Sequence, residues 1–151
     1  TTMKKAGSRE AFRHVDFELP LRVAELATSV GAKRIALVSS VGASARSSNF
    51  YLRTKGELED ALAALPLAAL HVFRPSLLLG DRAESRPGEA IASVLSRATR
   101  GLLVRGLRKY RPIDADLVAR AMVAAMVGQD PEPPRRIHEH DAIVELAAQI
   151  R

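Results

Sequence analysis

The first thirty residues carry the hydrophobic spacing of a helix. The apolar side chains at positions 15, 17, 19, 21, 23, 24, 26 and 27 give a mostly helical pattern, which predicts an amphipathic helix with one buried face. Ser8 is a suitable N-cap, and Gly31 predicts the end of the helix. Pro20 must lie in a first helical turn or mark a break, because proline lacks an amide hydrogen.

Further along the chain, short apolar runs alternate with longer helical patterns. Residues 34–40 and 68–73 read as buried strands, with residues 77–80 continuing the second. Helices are predicted over residues 50–65, 86–100 and 141–150, and a further helix, capped by Asp114 or Asp116, through residue 127; a short last strand is predicted over residues 136–139. Such alternation predicts parallel strands covered on both faces. We therefore expect an α/β fold, a Rossmann-like doubly wound parallel sheet.

Composition limits the class of protein. The 151 residues, 47% of them hydrophobic, fit one globular domain. Cysteine is absent, which excludes disulfides and thiolate metal sites. No apolar run reaches the ~18 residues of a membrane span, and no signal peptide opens the chain. We expect a cytoplasmic protein without a membrane partner. Because the chain begins at Thr1, we also expect that its natural beginning is not represented.

The charge leaves a second class of function open. The net charge is +6, and arginine outnumbers lysine by 18 to 5. Such an excess is compatible with binding to nucleic acid, or with a phosphate-bearing ligand, or with an ordinary solvated surface. Aromatic residues make up only 4% of the chain, which argues against a surface that stacks single-stranded bases. Nucleic acid is therefore the last-ranked partner, behind a small-molecule substrate.

The residues with the clearest chemical meaning are Tyr51 and Lys55. They are spaced to share one face of the helix that follows the first strand. That strand ends in Ser39 and Ser40, and ligands of open parallel sheets bind beyond the carboxyl ends of the strands. A free tyrosine has a pKa of about 10, which a nearby ammonium lowers. The set predicts proton transfer at a carbonyl or carbinol oxygen; an exposed helical pair is the alternative.

Other candidates have weaker support. Arg74, Pro75 and Ser76 end the second strand on the same sheet edge and could contact a flat ring, or could be a plain strand exit. His138 and His140 alternate in the predicted last strand, but no third metal ligand is evident, so no metal is expected. Acidic residues of the central helix are interpreted as a solvated face: Glu57, Glu59 and Asp60. An anion-binding patch or an exposed loop is predicted at Arg97, Arg100, Arg105, Arg108, Lys109 and Arg111.

Taken together, these motifs resemble the short-chain dehydrogenase/reductase superfamily. The most specific run is Ser-Ser-Asn-Phe-Tyr-Leu-Arg-Thr-Lys-Gly-Glu at residues 47–57, which resembles the family's active-site helix. Residues 36–42 resemble the strand that carries the catalytic serine, and Arg74-Pro75 resembles the strand end beside the nicotinamide. The nearest likeness is to the atypical branch of single-domain NAD(P)H-binding proteins, Tat-interacting-oxidoreductase-like or epimerase-like.

The resemblance implies a role for each site residue. Tyr51 would be the acid/base, Lys55 the partner of the cofactor ribose, and Ser40 the donor to the substrate oxygen, with Ser39 as the fallback. The cofactor, NADP or NAD, would also contact the residues at Thr1, Thr2, Arg74, Pro75 and Ser76. Asp16 stands where the family more often has asparagine.

The resemblance also implies that part of the domain is absent. Families of this type begin with a strand and a Gly-rich turn that holds the pyrophosphate, and no such motif occurs here. We expect residues 1–151 to be an N-terminally incomplete NAD(P)-binding domain, with a homo-oligomer left open as a means of covering its edge. The function expected is hydride transfer to or from a carbonyl or alcohol; a cofactor-binding regulatory or scaffold protein with little catalysis is the alternative.

Overall fold

A computed structural model describes residues 3–79, 108–128 and 134–150 of the chain. The helices are α1 (Met3–Ala6), α2 (Arg9–Arg13), a π-helix (His14–Glu18), α3 (Leu19–Ser29), α4 (Phe50–Ala63), a 3-10 helix (Arg108–Tyr110), α5 (Ala115–Val127) and α6 (His140–Ala147). The strands are β1 (Arg34–Val38), β2 (Ala69–Phe73), β3 (Leu78–Leu79), β4 (Ile113–Asp114) and β5 (Arg135–His138). The helix predicted over residues 86–100 lies outside the described residues.

Strand β2 is the centre of a parallel three-stranded sheet with the order β1-β2-β5. In the register, Ala36 of β1 lies beside His71 of β2, which in turn lies beside Arg136 of β5. Strands β3 and β4 form a separate short parallel pair. Helices connect the parallel strands, as such connections require. The prediction of a Rossmann-like α/β fold is confirmed.

Two cores lie on opposite faces of β2, because successive strand side chains point to opposite sides. On one face, Leu70 and Val72 pack against Ala24 of α3 and Leu58 of α4. Phe73 packs on the other face, against a cluster from α5 and α6 that includes Val118, Ala121, Ile143 and Ala147. Every residue of β2 is buried. The sheet is thus covered on both sides, which explains the continuous apolar run in the sequence.

Residue types at the helix ends explain where the helices start and stop. The Ser8 hydroxyl accepts a hydrogen bond from the Ala11 amide at 3.0 Å, and Asp114 accepts one from the Asp116 amide at 2.9 Å. Gly31 has a φ of +97°, which few other residues adopt, and it follows the end of α3. The predicted cap at Ser8 and the predicted stop at Gly31 are confirmed, and of the two candidate caps for α5, Asp114 and Asp116, Asp114 is the one used.

Pro20 does not break the first helix. The chain continues from α2 through the π-helix into α3, and the amide of Leu19 donates to the carbonyl of His14, five residues earlier. A proline removes one helical donor and crowds the preceding turn. A wider π turn directly before Pro20 accommodates this change without ending the helix.

One edge of the sheet is open in the part of the chain that the structure describes. Strand β1 pairs with β2 on one side only. Beside this edge lies an apolar groove of about 420 Å³ between β1 and α3, lined by residues that include Val23, Ile35 and Leu37. On α3, Val23 and Leu26 are 66% and 67% exposed. Among the described helices, none is long and apolar enough to cross a membrane.

A pair of histidines is buried between β2 and β5. His71 and His138 are each 4% exposed, and a hydrogen bond of 3.0 Å joins Nδ1 of His71 to Nε2 of His138. Their rings are stacked, and the ring of Phe73 stacks on His138. Burial, with smaller effects of His71 and Arg136, lowers the pKa of His138 to about 4. The folded protein therefore holds this imidazole neutral.

This histidine pair predicts a loss of stability in mild acid. The unfolded chain binds a proton at His138 near pH 6.5, whereas the folded chain does not do so until about pH 4. The contribution is thus complete above pH 6.5 and is lost as the pH falls towards 4, by up to about 3 kcal/mol. His138→Gln should flatten this part of the curve of unfolding free energy against pH, measured by urea denaturation. His14→Gln, at an exposed histidine, is the control, and an unchanged slope in His138→Gln would contradict the assignment.

Candidate active site at the carboxyl edge of the sheet

Helix α4 places Tyr51 and Lys55 on one face, one turn apart. The helix begins after Asn49, whose side-chain oxygen accepts a hydrogen bond from the Leu52 amide at 3.2 Å. The ring of Tyr51 packs against Phe12 of α2, with the ring centroids 5.7 Å apart. Phe12 is completely buried, whereas Tyr51 is half-buried. The phenol is therefore held by its ring in a position where part of it remains accessible.

Lys55 forms an ion pair with Asp16. Its Nζ lies 2.6 Å from Oδ1 of Asp16, and the two side chains are 13% and 5% exposed. Asp16 reaches α4 from the π-helix, which packs against it. A charge-assisted hydrogen bond of this length fixes the lysine side chain. Sequence reasoning noted Asp16 as a departure from asparagine, but did not predict that it would bind Lys55.

The two serines at the end of β1 have different surroundings. Ser39 is 6% exposed, and its hydroxyl donates to Oε1 of Glu59 at 2.5 Å. Ser40 follows in the loop and is half-buried. Because the Ser39 hydroxyl is already committed to a carboxylate, Ser40 remains the better candidate for a donor to a substrate oxygen.

Glu59 is a buried carboxylate that accepts hydrogen bonds from several elements. It is 0% exposed. In addition to Ser39, Arg74 donates from Nε at 3.0 Å to Oε1 and from a terminal nitrogen at 2.6 Å to Oε2. Arg135, at the start of β5, donates to Oε2 at 2.8 Å and also binds Asp60. The interpretation of Glu59 as part of a solvated face is wrong: two arginines and a serine compensate its buried charge.

The turn at Arg74, Pro75 and Ser76 lies at the carboxyl end of β2, as predicted. The Arg74 side chain is bound to Glu59, so its guanidinium is not directed at a ligand in this structure. The carbonyl of Pro75 accepts a hydrogen bond from the Val41 amide at 3.0 Å, which joins this turn to the loop after Ser40. The Ser76 hydroxyl donates to the carbonyl of Arg111. What the turn offers to a cofactor is therefore mainly its backbone.

Several predicted residues do not enter the described site. Thr1 and Thr2 lie outside the described residues, as do Arg97, Arg100 and Arg105 of the basic set. His138 is paired with His71, and His140 begins α6 rather than continuing a strand. In the described ranges, no group of three or more histidine or acidic side chains is placed to hold a metal ion.

Gly56 allows the loop after Ser40 to lie directly on α4. A Cβ atom at this position would be 2.2 Å from the carbonyl carbon of Ser44 and 2.3 Å from the amide nitrogen of Ala45. The same loop is joined to the helix by a hydrogen bond of 3.1 Å from the Ser44 amide to the Leu52 carbonyl. The glycine that follows Lys55 is thus required by a close contact between backbones. It fixes the path of the segment that leads from Ser40 to Tyr51.

No protein-family model matches the chain. It is 41% identical over 124 residues to the mitochondrial protein FMP52 of Candida albicans, covering 82% of this chain and 53% of that protein. It is 37% identical over 125 residues to the mitochondrial protein fmp52 of Emericella nidulans, covering 83% and 53%. It is 49% identical over 92 residues to protein HTATIP2 of Rattus norvegicus, covering 61% and 38%.

These comparisons show that the chain is related to the FMP52 and HTATIP2 proteins. The chain spans about half the length of the FMP52 relatives named above.

The comparisons also correct one expectation. A cytoplasmic location was expected because no targeting signal was found, but several fungal relatives are named as mitochondrial proteins. The absence of a signal in these residues was therefore not a sound basis for that expectation.

The buried carboxylate gives the first prediction for the site. Glu59→Gln keeps the shape of the side chain but leaves the guanidinium of Arg74 without its anion and that of Arg135 with Asp60 alone, so the free energy of unfolding should fall by about 3–5 kcal/mol. Glu57→Gln is the matched control on the same helix, because its ion pair with Arg13 is 30–40% exposed and should contribute less than about 1 kcal/mol. Urea denaturation measures both. Equal effects of the two substitutions would contradict the role assigned to Glu59.

The close contact at Gly56 gives the second prediction. Alanine is favoured over glycine inside a helix by about 1 kcal/mol, so Gly56→Ala would be stabilising if space allowed. Because the new methyl group would overlap the backbone of Ser44 and Ala45, we expect a net loss of about 1–3 kcal/mol instead. Thermal unfolding measures the sign. A rise in Tm would show that the loop does not lie on α4 as described.

Proposed function

We propose that the whole protein is an NAD(P)H-dependent oxidoreductase of the short-chain dehydrogenase/reductase type, of the atypical, Tat-interacting-oxidoreductase-like branch. It moves hydride between the nicotinamide cofactor and a carbonyl or alcohol whose identity is open. The observation that carries this proposal is the placement of Tyr51 and Lys55 on one face of α4, which follows the parallel strand β1 and the two serines after it, Ser39 and Ser40. The relatedness to FMP52 and HTATIP2 supports the same family.

The chain's own residues supply proton transfer and orientation. Tyr51 donates a proton to the substrate oxygen during reduction, or accepts it during oxidation, and Ser40 donates a hydrogen bond that orients this oxygen. One of the three N–H donors of Lys55 forms a hydrogen bond to Asp16. The other two can bind the hydroxyls of a ribose. When bound, the cofactor supplies the hydride.

The residues present fit one end of such a cofactor. Lys55 and the backbone at Arg74, Pro75 and Ser76 suit the nicotinamide side. The Gly-rich turn that would hold the pyrophosphate does not occur among the 151 residues. The choice between NADP and NAD, which depends on a residue beyond that turn, is therefore left open.

We propose further that residues 1–151 form part of a single NAD(P)-binding domain. The open edge of β1, with the apolar groove of about 420 Å³ beside it, supports this proposal, because a bare edge and an apolar face normally require a cover. The relatives' length supports it as well. Because several of these relatives are named as mitochondrial proteins, we also propose a mitochondrial location.

A regulatory or scaffold protein that binds the cofactor with little turnover is the second candidate. One observation favours it: the Lys55 ammonium lies 2.6 Å from the Asp16 carboxylate. Two opposite charges this close partly cancel each other's field, so Lys55 assists a reacting phenol less than an unpaired ammonium would. Titration of the full-length protein with NADPH and NADH, followed by a panel of carbonyl substrates, separates the two candidates. Binding without turnover would favour the scaffold, and no binding would defeat both.

The proposal predicts the effect of removing the phenol oxygen. Tyr51→Phe keeps the ring that packs on Phe12 but cannot transfer a proton, so kcat of the full-length protein should fall about 10²–10⁴-fold with NADPH binding unchanged. Lys55→Met should weaken NADPH binding as well, because it removes the ribose donors. Tyr110→Phe, at the only other tyrosine of the chain, is the control. Full activity in Tyr51→Phe would show that the tyrosine-lysine motif is an ordinary helical pair.

A further inference from the structure

The ion pair between Asp16 and Lys55 is more buried than an ordinary helix-surface pair. The lysine side chain is 13% exposed and the aspartate 5%, whereas in the pair between Arg13 of α2 and Glu57 of α4 the side chains are 40% and 30% exposed. Taking a lysine and an aspartate out of water costs free energy unless the two compensate each other. The structure thus keeps a charged pair where it is costly, beside the tyrosine of the candidate site.

The local fold brings Asp16 to this position. Asp16 lies in the π-helix that precedes Pro20, and this π-helix packs on α4. A π turn alters the direction in which its side chains project relative to a regular helix, and such turns are frequent at functional sites. The packing of Phe12 on Tyr51 fixes the same helix against α4 one turn earlier.

We propose that Asp16 is a positioning residue that holds the Lys55 ammonium in place before the cofactor binds. This inference rests on the proposed function, in which Lys55 binds the ribose. A free lysine loses rotamer freedom when it engages a ligand, and a lysine already fixed by Asp16 does not lose it again. Asp16 thereby contributes to cofactor affinity without contacting the cofactor.

The first measurement follows Lys55 itself and needs neither cofactor nor turnover. An amine bound to a buried carboxylate reacts slowly with an acylating reagent, because it must first leave its partner and lose its proton. In Asp16→Ala, the rate of acetylation at Lys55, measured by peptide mass spectrometry relative to the exposed Lys33, should rise about tenfold or more, as loss of a charged hydrogen bond predicts. In Asp16→Asn, which keeps an acceptor of the same shape, the rise should be smaller. Glu57→Gln should leave the ratio unchanged.

The second measurement is NADPH affinity of the full-length protein, in about 1 M salt so that the lost negative charge has little long-range effect on an anionic ligand. Asp16→Ala should raise Kd about 2- to 10-fold, the cost of ordering one long side chain on binding. Asp16→Asn should restore most of the affinity, whereas Lys55→Met in either background should abolish the difference between the aspartate and alanine forms. A merely structural role of Asp16 would not depend on Lys55 in this way.

The two measurements separate the possible failures. If the unchanged protein does not bind NADPH, the proposed function is wrong, and the acetylation ratio still decides whether Asp16 holds Lys55. If acetylation at Lys55 is no faster in Asp16→Ala than in the unchanged protein, the positioning role is overturned whatever the affinity. Should Asp16→Ala fail to fold, the acetylation comparison in Asp16→Asn decides, and an unchanged acetylation ratio there overturns the proposal.

Discussion

The carboxylate of Glu59 is the interaction on which the arrangement of the candidate site depends. It is fully buried on α4 and accepts hydrogen bonds from Ser39 after β1, Arg74 after β2 and Arg135 in β5. One side chain therefore joins the central helix to all three strands of the main sheet. Because a buried carboxylate without partners would be very costly, each of these elements must be in place for the others to be stable. The position of Tyr51 relative to the strand ends follows from this constraint.

Three further contacts set the positions of the loop after Ser40 and of Lys55. The absence of a side chain at Gly56 lets the loop from Ser40 lie on α4, while the Val41 amide binds the Pro75 carbonyl. On the opposite side, Asp16 holds Lys55 from the π-helix. The site is thus assembled from short backbone contacts and charged pairs rather than from a large apolar interface. Such a site is specific in geometry but sensitive to the loss of any one partner.

The fold was predictable from the sequence because its signals are local. Caps at Ser8 and Asp114, the stop at Gly31 and the apolar run of β2 each act within a few residues, and the structure confirms them. What sequence reasoning missed are contacts between distant residues. In the sequence, Glu59 does not differ from any other mid-helix glutamate, because its partners Arg74 and Arg135 are distant along the chain. Asp16 reads as a simple substitution, because its contact with Lys55 depends on the π turn. The signals at Asp16 were its replacement of the family's more common asparagine and its position one turn before Pro20.

Among the described strands, β1 has a partner strand on one side only. The apolar groove, with Val23 of α3 in its lining, lies beside the edge of β1 that does not pair with β2, and Leu26 of α3 is exposed as well. The candidate acid/base residues, by contrast, are held by α4, the π-helix and the ends of the strands, all within the described residues. Their positions follow from the hydrogen bonds of Glu59, the backbone contact at Gly56 and the pair of Lys55 with Asp16, and none of these contacts uses the backbone of the open edge. The arrangement of Tyr51 and Lys55 is therefore set independently of any segment that covers β1.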